Sequence, residues 1–459
     1  MSERAKRDLS LTGLFAAFMF LQFTVLGLGN RAGEGYLSAG RREQVYYVLQ
    51  VYVILGFLAY AGADCLIRGE RARRTMLGAA LAAFAAAAVA MLFADRASRF
   101  YLAVTYAVMP CLGCLGGAVY RRMSRASAAG EKTARSMGIG SAAAVALQYV
   151  LQLRWGVTPL LPVFALGAAA LLAVLLLRGS PESQLGPAPE AAAPRQLLFA
   201  CLIASSFLLL TSFYNGYIHH LQIRSGYTAY NVYSWPRLLL VPGYLLFAAI
   251  GDRRQGRLVP MAALCIALVA MLNSVLNGSP GAYWLNMCLF YCAIAAAVSY
   301  YNLTFWRLAF RTRQPALWAS MGRVLDSAMV LLAGLLHISA LPAAAVLALN
   351  IFALACMIVL LSVSDGFDLS ASHETHHAPA LLSAEDTFDR MREKYALTPR
   401  ETEVLRELVL TEDKQTVISG RLSIQVKALQ KYVTQLYRKT GATTRSGLTE
   451  LYHSTMLGR

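Results

Sequence analysis

At 459 residues, 57% hydrophobic and only 15% charged, the chain is too apolar for a soluble enzyme, since ordinary globular chains are roughly a quarter charged. A formal net charge of +17 usually marks a nucleic-acid or membrane-surface partner. The excess lies wholly in the apolar part: residues 1–363 hold 29 Lys+Arg against 12 Asp+Glu, and residues 364–459 hold 13 of each.

Met1–Asp8 is polar and the first apolar run is as long as a membrane span, so no cleavable signal peptide is expected. A helix crosses the hydrocarbon with about 20 mostly apolar residues. Such runs are predicted at Leu11–Gly29, Val45–Ile67, Thr75–Ala94, Phe100–Tyr120, Ser136–Leu153 and Pro159–Leu177. After the Pro/Ala-rich stretch Arg178–Gln196 they resume at Leu197–Ile218, Pro236–Ile250, Leu258–Leu276, Ala282–Tyr301, Pro315–Ile338 and Leu341–Val363. The fold class is therefore all-α: a polytopic bundle of about twelve spans in two groups of six, residues 1–363, followed by a small helical domain. The eighth run is short and the third and sixth are Ala-rich, so these three carry the weakest span signal.

Lys and Arg resist translocation. With the N-terminus in the cytoplasm, the inside segments carry twenty Lys and Arg and the outside loops seven. The expected location is the cytoplasmic (inner) membrane, multi-pass, with both termini in the cytoplasm. All eight cysteines fall inside apolar runs, so packing rather than a disulfide framework is expected. Cys111 and Cys114 have the spacing of a redox or metal pair, but their apolar setting reads as helix packing.

A charge within a span costs about 2.5–3.5 kcal/mol on insertion scales, which makes each a site hypothesis. Arg323 and Asp326 stand three apart on one helix face and can pair; a ligand pocket and a structural pair are equal readings. Asp64 and Arg237 lie near span ends and are weaker candidates. Tyr46, Tyr47 and Gln50, then Tyr214, Asn215 and Tyr217, then Tyr291, Tyr300, Tyr301 and Asn302, gather polar and aromatic groups in spans two, seven and ten. Some are interfacial belt residues; others offer hydrogen bonds and stacking faces to an aromatic or phenolic ligand. The pocket candidates are Arg323, Asp326, Tyr214, Asn215, Tyr291, Tyr300 and Tyr46.

Between spans eight and nine runs Gly251-Asp252-Arg253-Arg254-Gln255-Gly256-Arg257. It resembles the signature loop of the major facilitator superfamily, carried here by Gly251, Asp252, Arg253, Gly256 and Arg257. A degraded echo follows span two: Gly62, Asp64, Arg68, Gly69, Arg71, Arg73 and Arg74. Matching loops in two halves fit the internal repeat of that fold.

After Val363 the composition turns polar. Residues 364–397 read as a linker ending in a short amphipathic helix over Ser383–Ala396, with Ser383 as cap and Phe388, Met391 and Tyr395 as its apolar stripe. His373, His376 and His377 lack further ligand partners, so no metal is expected. Thr398-Pro399-Arg400-Glu401 is a capping box with Pro at the first helical position, and Val404, Leu405 and Leu408 give that helix its buried face. A second helix is predicted at Lys414–Arg421 with Val417 and Ile418 inward. A third follows at Val426–Thr440, burying Leu429, Val433 and Leu436 and stopped by Gly441, and a fourth at Arg445–Met456. The short turn Leu422–Gln425 makes a helix-turn-helix.

Leu397–Leu405 and Tyr437–Arg445 resemble the LuxR/FixJ-type DNA-binding domain, over residues 398–459. That family reads bases with the outward face of its third helix. The resemblance implies Gln430, Lys431 and Thr434 near base edges of double-stranded promoter DNA, with Lys427, Arg438, Lys439 and Arg445 near phosphates. Ala428-Leu429-Gln430 replace the family's usual Thr-Val-Lys, Tyr432 its usual His, and Thr411–Gln415 depart from its usual turn, which leaves the base contacts open. Residues 398–459 carry ten cations against six acids, a small surplus that implies binding as a dimer. The whole chain resembles membrane-bound LuxR-type regulators of gut actinobacteria. That resemblance implies a one-component regulator sensing a small molecule through its transporter-like part; the alternative is a working transporter with a DNA-binding tail. No phosphate loop, metal cluster or nucleophile elbow is present in the sequence, so neither an enzyme nor a cofactor is expected.

Overall fold

The computed structural model describes residues 3–29, 32, 37–67, 69–155, 161–177, 191–224, 234–253, 258–277, 279–364, 384–411 and 413–456. The described residues form helices and connecting turns without strands, and the chain divides into two compact units, Met1–Ser370 and Ala371–Arg459. The histidine tract, the Ser383 cap, Arg68, and Arg254 to Arg257 with the loop's Gly256 lie outside the described residues.

Among the described residues twelve α-helices build the first unit: α1 Glu3–Gly29, α2 Ala39–Leu66, α3 Glu70–Phe93, α4 Arg99–Ala128, α5 Thr133–Trp155, α6 Leu161–Leu177, α7 Pro194–Arg224, α8 Leu240–Gly251, α9 Leu258–Leu276, α10 Tyr283–Ala309, α11 Pro315–Leu335 and α12 Ala343–Ser364. Nine of them are long and apolar enough to cross a bilayer; α6 and the segment Trp235–Gly251 are apolar but shorter. The 3-10 turn Trp235–Leu239 that leads into α8 accounts for that short run.

The neighbour pairs repeat. In α1–α6, α1 packs on α4, α5 and α6, α2 on α4, and α3 on α4 and α6; in α7–α12, α7 packs on α10, α11 and α12, α8 on α10, and α9 on α10 and α12. The same six-helix arrangement is therefore built twice, and the halves meet through α5 on α8 and α2 on α11, themselves counterparts. Helices α3, α6, α9 and α12 turn Val89, Leu171, Leu272 and Phe352 outward, all exposed. Exposed apolar side chains on this scale suit lipid rather than water. Where α2 crosses α4 the backbones nearly touch: a Cβ on Gly113 would stand 2.9 Å from Gly56 Cα and closer still to Val53 O. Only small residues permit such a crossing.

The second unit contains α13 Ala384–Lys394, α14 Pro399–Leu410, α15 Gln415–Arg421, α16 Val426–Thr440 and α17 Arg445–Met456. One core joins Phe388 and Met391 of α13 to Val404, Leu405, Leu408, Ile418, Leu429, Val433, Leu436, Leu448 and Tyr452. The α13 helix thus packs as part of this core, its Phe388 ring 4.8 Å from that of Tyr452. Val417, expected inward, is exposed, because a seven-residue helix buries a single stripe through Ile418 and Ser419. Gly441 ends α16 in the left-handed conformation (φ 75°), which glycine adopts without a Cβ penalty.

Candidate functional site

Between the halves of the first unit lies a cavity of about 510 Å³, lined by residues of α1, α2, α4, α7, α8, α10 and α11. Arg323, Asp326, Tyr46, Asn215 and Tyr291 line it. Tyr214 and Tyr300 do not: Tyr214 is buried with its hydroxyl donating to Asn286 Oδ1 at 2.9 Å, and Tyr300 is buried 6.3 Å from the Phe207 ring. The cavity also takes Gln22, Tyr47, Gln50, Tyr120, Thr211, Tyr244, His219 and Tyr301. Ser327 Oγ donates to Gln50 Oε1 at 2.8 Å, tying α11 to α2 beside it.

The cavity contains an ion pair. Arg323 Nη1 donates to Asp326 Oδ2, and the guanidinium is the more buried partner, its side chain 9% exposed against 21% for the carboxylate. Nearby, the nine-tenths buried Arg237 holds its guanidinium 5.0 Å from the Phe23 ring, which lines the cavity. The cation–π contact offsets part of that charge's desolvation. Tyr120 also joins a packed aromatic group with Phe15, Phe18, Phe57 and Trp306, at ring separations of 5.4–6.2 Å. These rings come from both halves and pack together beside the cavity at Tyr120.

Asp252, at the end of α8, fastens the halves together. Asp252 accepts from the backbone N–H of Ala134 at 3.0 Å and of Arg135 at 2.8 Å, capping the first turn of α5. Arg307 Nη2 donates to Gly251 O at 2.8 Å, and Ser124 Oγ donates to Trp306 O at 2.8 Å. A carboxylate on a helix N-terminus satisfies orphan donors and meets the positive end of the dipole. Arg253 is exposed. The echo loop differs: Asp64 pairs with Arg73 (3.2 Å) and Arg121 (2.9 Å), all within the first half.

All eight cysteines are free. Among the described residues no group of three His, Cys, Asp or Glu side chains could hold a metal.

In the second unit α16 has one buried face, Leu429, Val433 and Leu436, and an exposed face carrying Lys427, Gln430, Lys431, Thr434 and Arg438. Thr434 Oγ1 donates back to Gln430 O at 2.9 Å. The two other expected cations are engaged internally. Lys439 Nζ donates to Glu401 Oε2 at 2.7 Å and to Ala396 O at 3.0 Å. Arg445 donates to Leu408 O (2.8 Å), Asp413 O (2.7 Å) and Thr411 O. Arg400 Nη2 donates to Leu422 O at 2.6 Å, tying α14 to the turn before α16.

The capping box forms: Thr398 N–H donates to Glu401 Oε2 (2.7 Å), and Glu401 N–H to Thr398 Oγ1 (3.3 Å). Burial acts to raise the Glu401 carboxyl, but Lys439 and the Thr398 backbone outweigh it, and the group sits below its usual range. A lowered folded-state value means stability that is present above the unfolded pKa of about 4.3 and is lost as pH falls through the folded value. Glu401→Gln is expected to destabilise α14 at pH 7 by about 1–2 kcal/mol and to flatten the loss of stability below about pH 4.3. Amide hydrogen exchange of α14 across pH 3–7 checks both; an acid limb unchanged in the variant would contradict the assignment.

No protein-family model matches the chain, and a search of curated protein sequences finds no significant match. Among solved structures, the crystal structure of the human organic anion transporter MFSD10 (TETRAN) is similar at a TM-score of 0.58 and 16% identity, covering 78% of this chain and 100% of that chain. At that identity the likeness is one of fold. It agrees with a multi-pass helical membrane fold for the first unit.

Proposed function

We propose that the chain is a membrane-embedded one-component transcription regulator of the inner membrane, with both termini in the cytoplasm. A small aromatic or phenolic molecule binds between the halves of the transporter-like unit, and the LuxR-like tail binds promoter DNA as a dimer. The observation that carries this reading is the exposed face of α16. Lys427, Gln430, Lys431, Thr434 and Arg438 follow helical spacing on the side opposite the buried stripe, in a domain whose sequence resembles a DNA-reading one. A helix entering the major groove needs amide and ammonium donors on one face and cations beside the backbone. In this reading Lys427 and Arg438 meet phosphates, while Lys439 and Arg445 hold the domain together.

The mechanism follows from a bundle with two arrangements. A ligand shifts the equilibrium only by its difference in affinity for the two. The bonds from Asp252 to α5 favour one arrangement, and ligand in the cavity changes their population and with it the pairing of the tails.

A second reading is favoured by the likeness to a solved transporter: the unit moves its ligand, and the tail adjusts expression. A reporter on a promoter bound by the chain, challenged with aromatic compounds, separates the two when run beside uptake into proteoliposomes. Ligand-dependent transcription without uptake supports the regulator. Uptake with transcription indifferent to ligand supports the transporter.

A further inference from the structure

We infer that the cavity takes an aromatic carboxylate, held through its carboxylate by Arg323. The inference rests on the cavity being a ligand site, as proposed above, and adds the chemical class.

A guanidinium carries five N–H donors and no acceptor. Among the described residues Arg323 is matched only at Nη1, by Asp326, and its buried Nε meets no acceptor. Leaving a desolvated donor unmet is costly, more so on a charged group. Asp326 is the one acid among the described lining residues, and it is already spent on Nη1. The Arg323 guanidinium therefore keeps an unfilled demand for an acceptor. A carboxylate meets it with an oxygen of the charge and planarity that suit a guanidinium.

The rest of the molecule is set by the walls. The tyrosines already named offer flat faces for ring stacking and hydroxyls for further polar contacts, and about 510 Å³ is ample for a substituted aryl acid.

The test uses the full-length protein in nanodiscs and three compounds that differ only in their headgroup: 3-phenylpropionate, 3-phenylpropylamine and 3-phenylpropanol. Thermal shift and tryptophan fluorescence titration report binding. The acid is expected to stabilise the wild type and the other two to bind roughly tenfold or more weakly, as loss of a charged hydrogen bond implies. Arg323→Gln alone strands Asp326 as a buried charge and risks misfolding, so the informative variants are Asp326→Asn and the double variant Arg323→Gln/Asp326→Asn. Asp326→Asn frees the guanidinium and is expected to bind the acid more tightly. The double variant, which buries no charge at this site, is expected to lose it.

Preference for the amine or the alcohol overturns the headgroup assignment and leaves the cavity as a ligand site. So does undiminished binding of the acid to the double variant. Silence toward all three compounds overturns the inference and removes the ligand site on which it rests.

Discussion

Lys431→Ala is expected to abolish promoter binding while leaving the fold of the tail unchanged. The side chain is exposed on α16, on the face opposite Leu429 and Val433, so its removal opens no void and breaks no bond that holds the unit together. A base-edge contact is worth about 1–3 kcal/mol, which at the middle of that range is more than tenfold per half-site. In a dimer the substitution occurs twice, and affinity is expected to fall roughly 100-fold or more. Fluorescence anisotropy on labelled promoter DNA at fixed salt measures it. Titration at several salt concentrations adds a distinction: loss of a base contact leaves the salt slope nearly unchanged, whereas loss of a phosphate contact, as expected for Arg438→Ala, lowers it. An affinity unaltered by Lys431→Ala would remove α16 as the reading helix.

Arg445→Ala is expected to act the other way, through the fold. Its guanidinium donates to three carbonyls, at the last turn of α14 and along the chain leading to α15. Removing it leaves those oxygens to find water and frees the α14–α15 connection. With charged hydrogen bonds worth about 1.5–3 kcal/mol each and the site half-buried, a loss of about 3 kcal/mol is expected, on the order of 100-fold more opening of the unit. Amide exchange in α14 and α17 reads this opening. Arg445→Lys is expected to recover only part of it, because one ammonium cannot span three carbonyls as a planar fork does. Protection unchanged in Arg445→Ala would show that the clasp contributes nothing.

The helices of both units are legible in the sequence to different depths. Runs bounded by strong signals agree with the structure at both ends: Leu258–Leu276, Val426–Thr440 with its Gly441 stop, and Arg445–Met456. Helices α4 and α10 continue eight residues beyond their apolar runs, to Ala128 and Ala309. Composition ends where the hydrocarbon would end, whereas backbone hydrogen bonding continues through Arg121, Arg122 and Arg125. The cavity was partly legible, because Arg323, Asp326 and Asn215 are polar within apolar runs. The misses are instructive. Tyr214 adjoins Asn215 and Tyr300 adjoins Tyr301, yet only the second of each pair lines the cavity. One residue along a helix turns a side chain by about 100°, and the inward direction is chosen by packing between helices distant in sequence. Gln22, Tyr120 and Tyr244 were missed for the same reason, each a single polar group without a pattern around it. Lys439 and Arg445 are cations at positions the resemblance assigns to phosphate contact, and only the folded geometry brings carbonyls and Glu401 within their reach.

The joint at Asp252 has a further property. One half contributes a carboxylate and the other contributes only main-chain amides, those of Ala134 and Arg135. A salt bridge can be repaired by exchanging the two charges; this contact has no second side chain to exchange. The exposed position 135 can drift through most residue types except proline without disturbing it, Ala134 is held small by its burial against Gly251, and the carboxylate of Asp252 is what the joint requires. The tolerance of the joint is therefore one-sided. Second-site suppressors of an Asp252 lesion are expected to arise as independent stabilisation of the contact between the halves rather than as restoration of the lost bond.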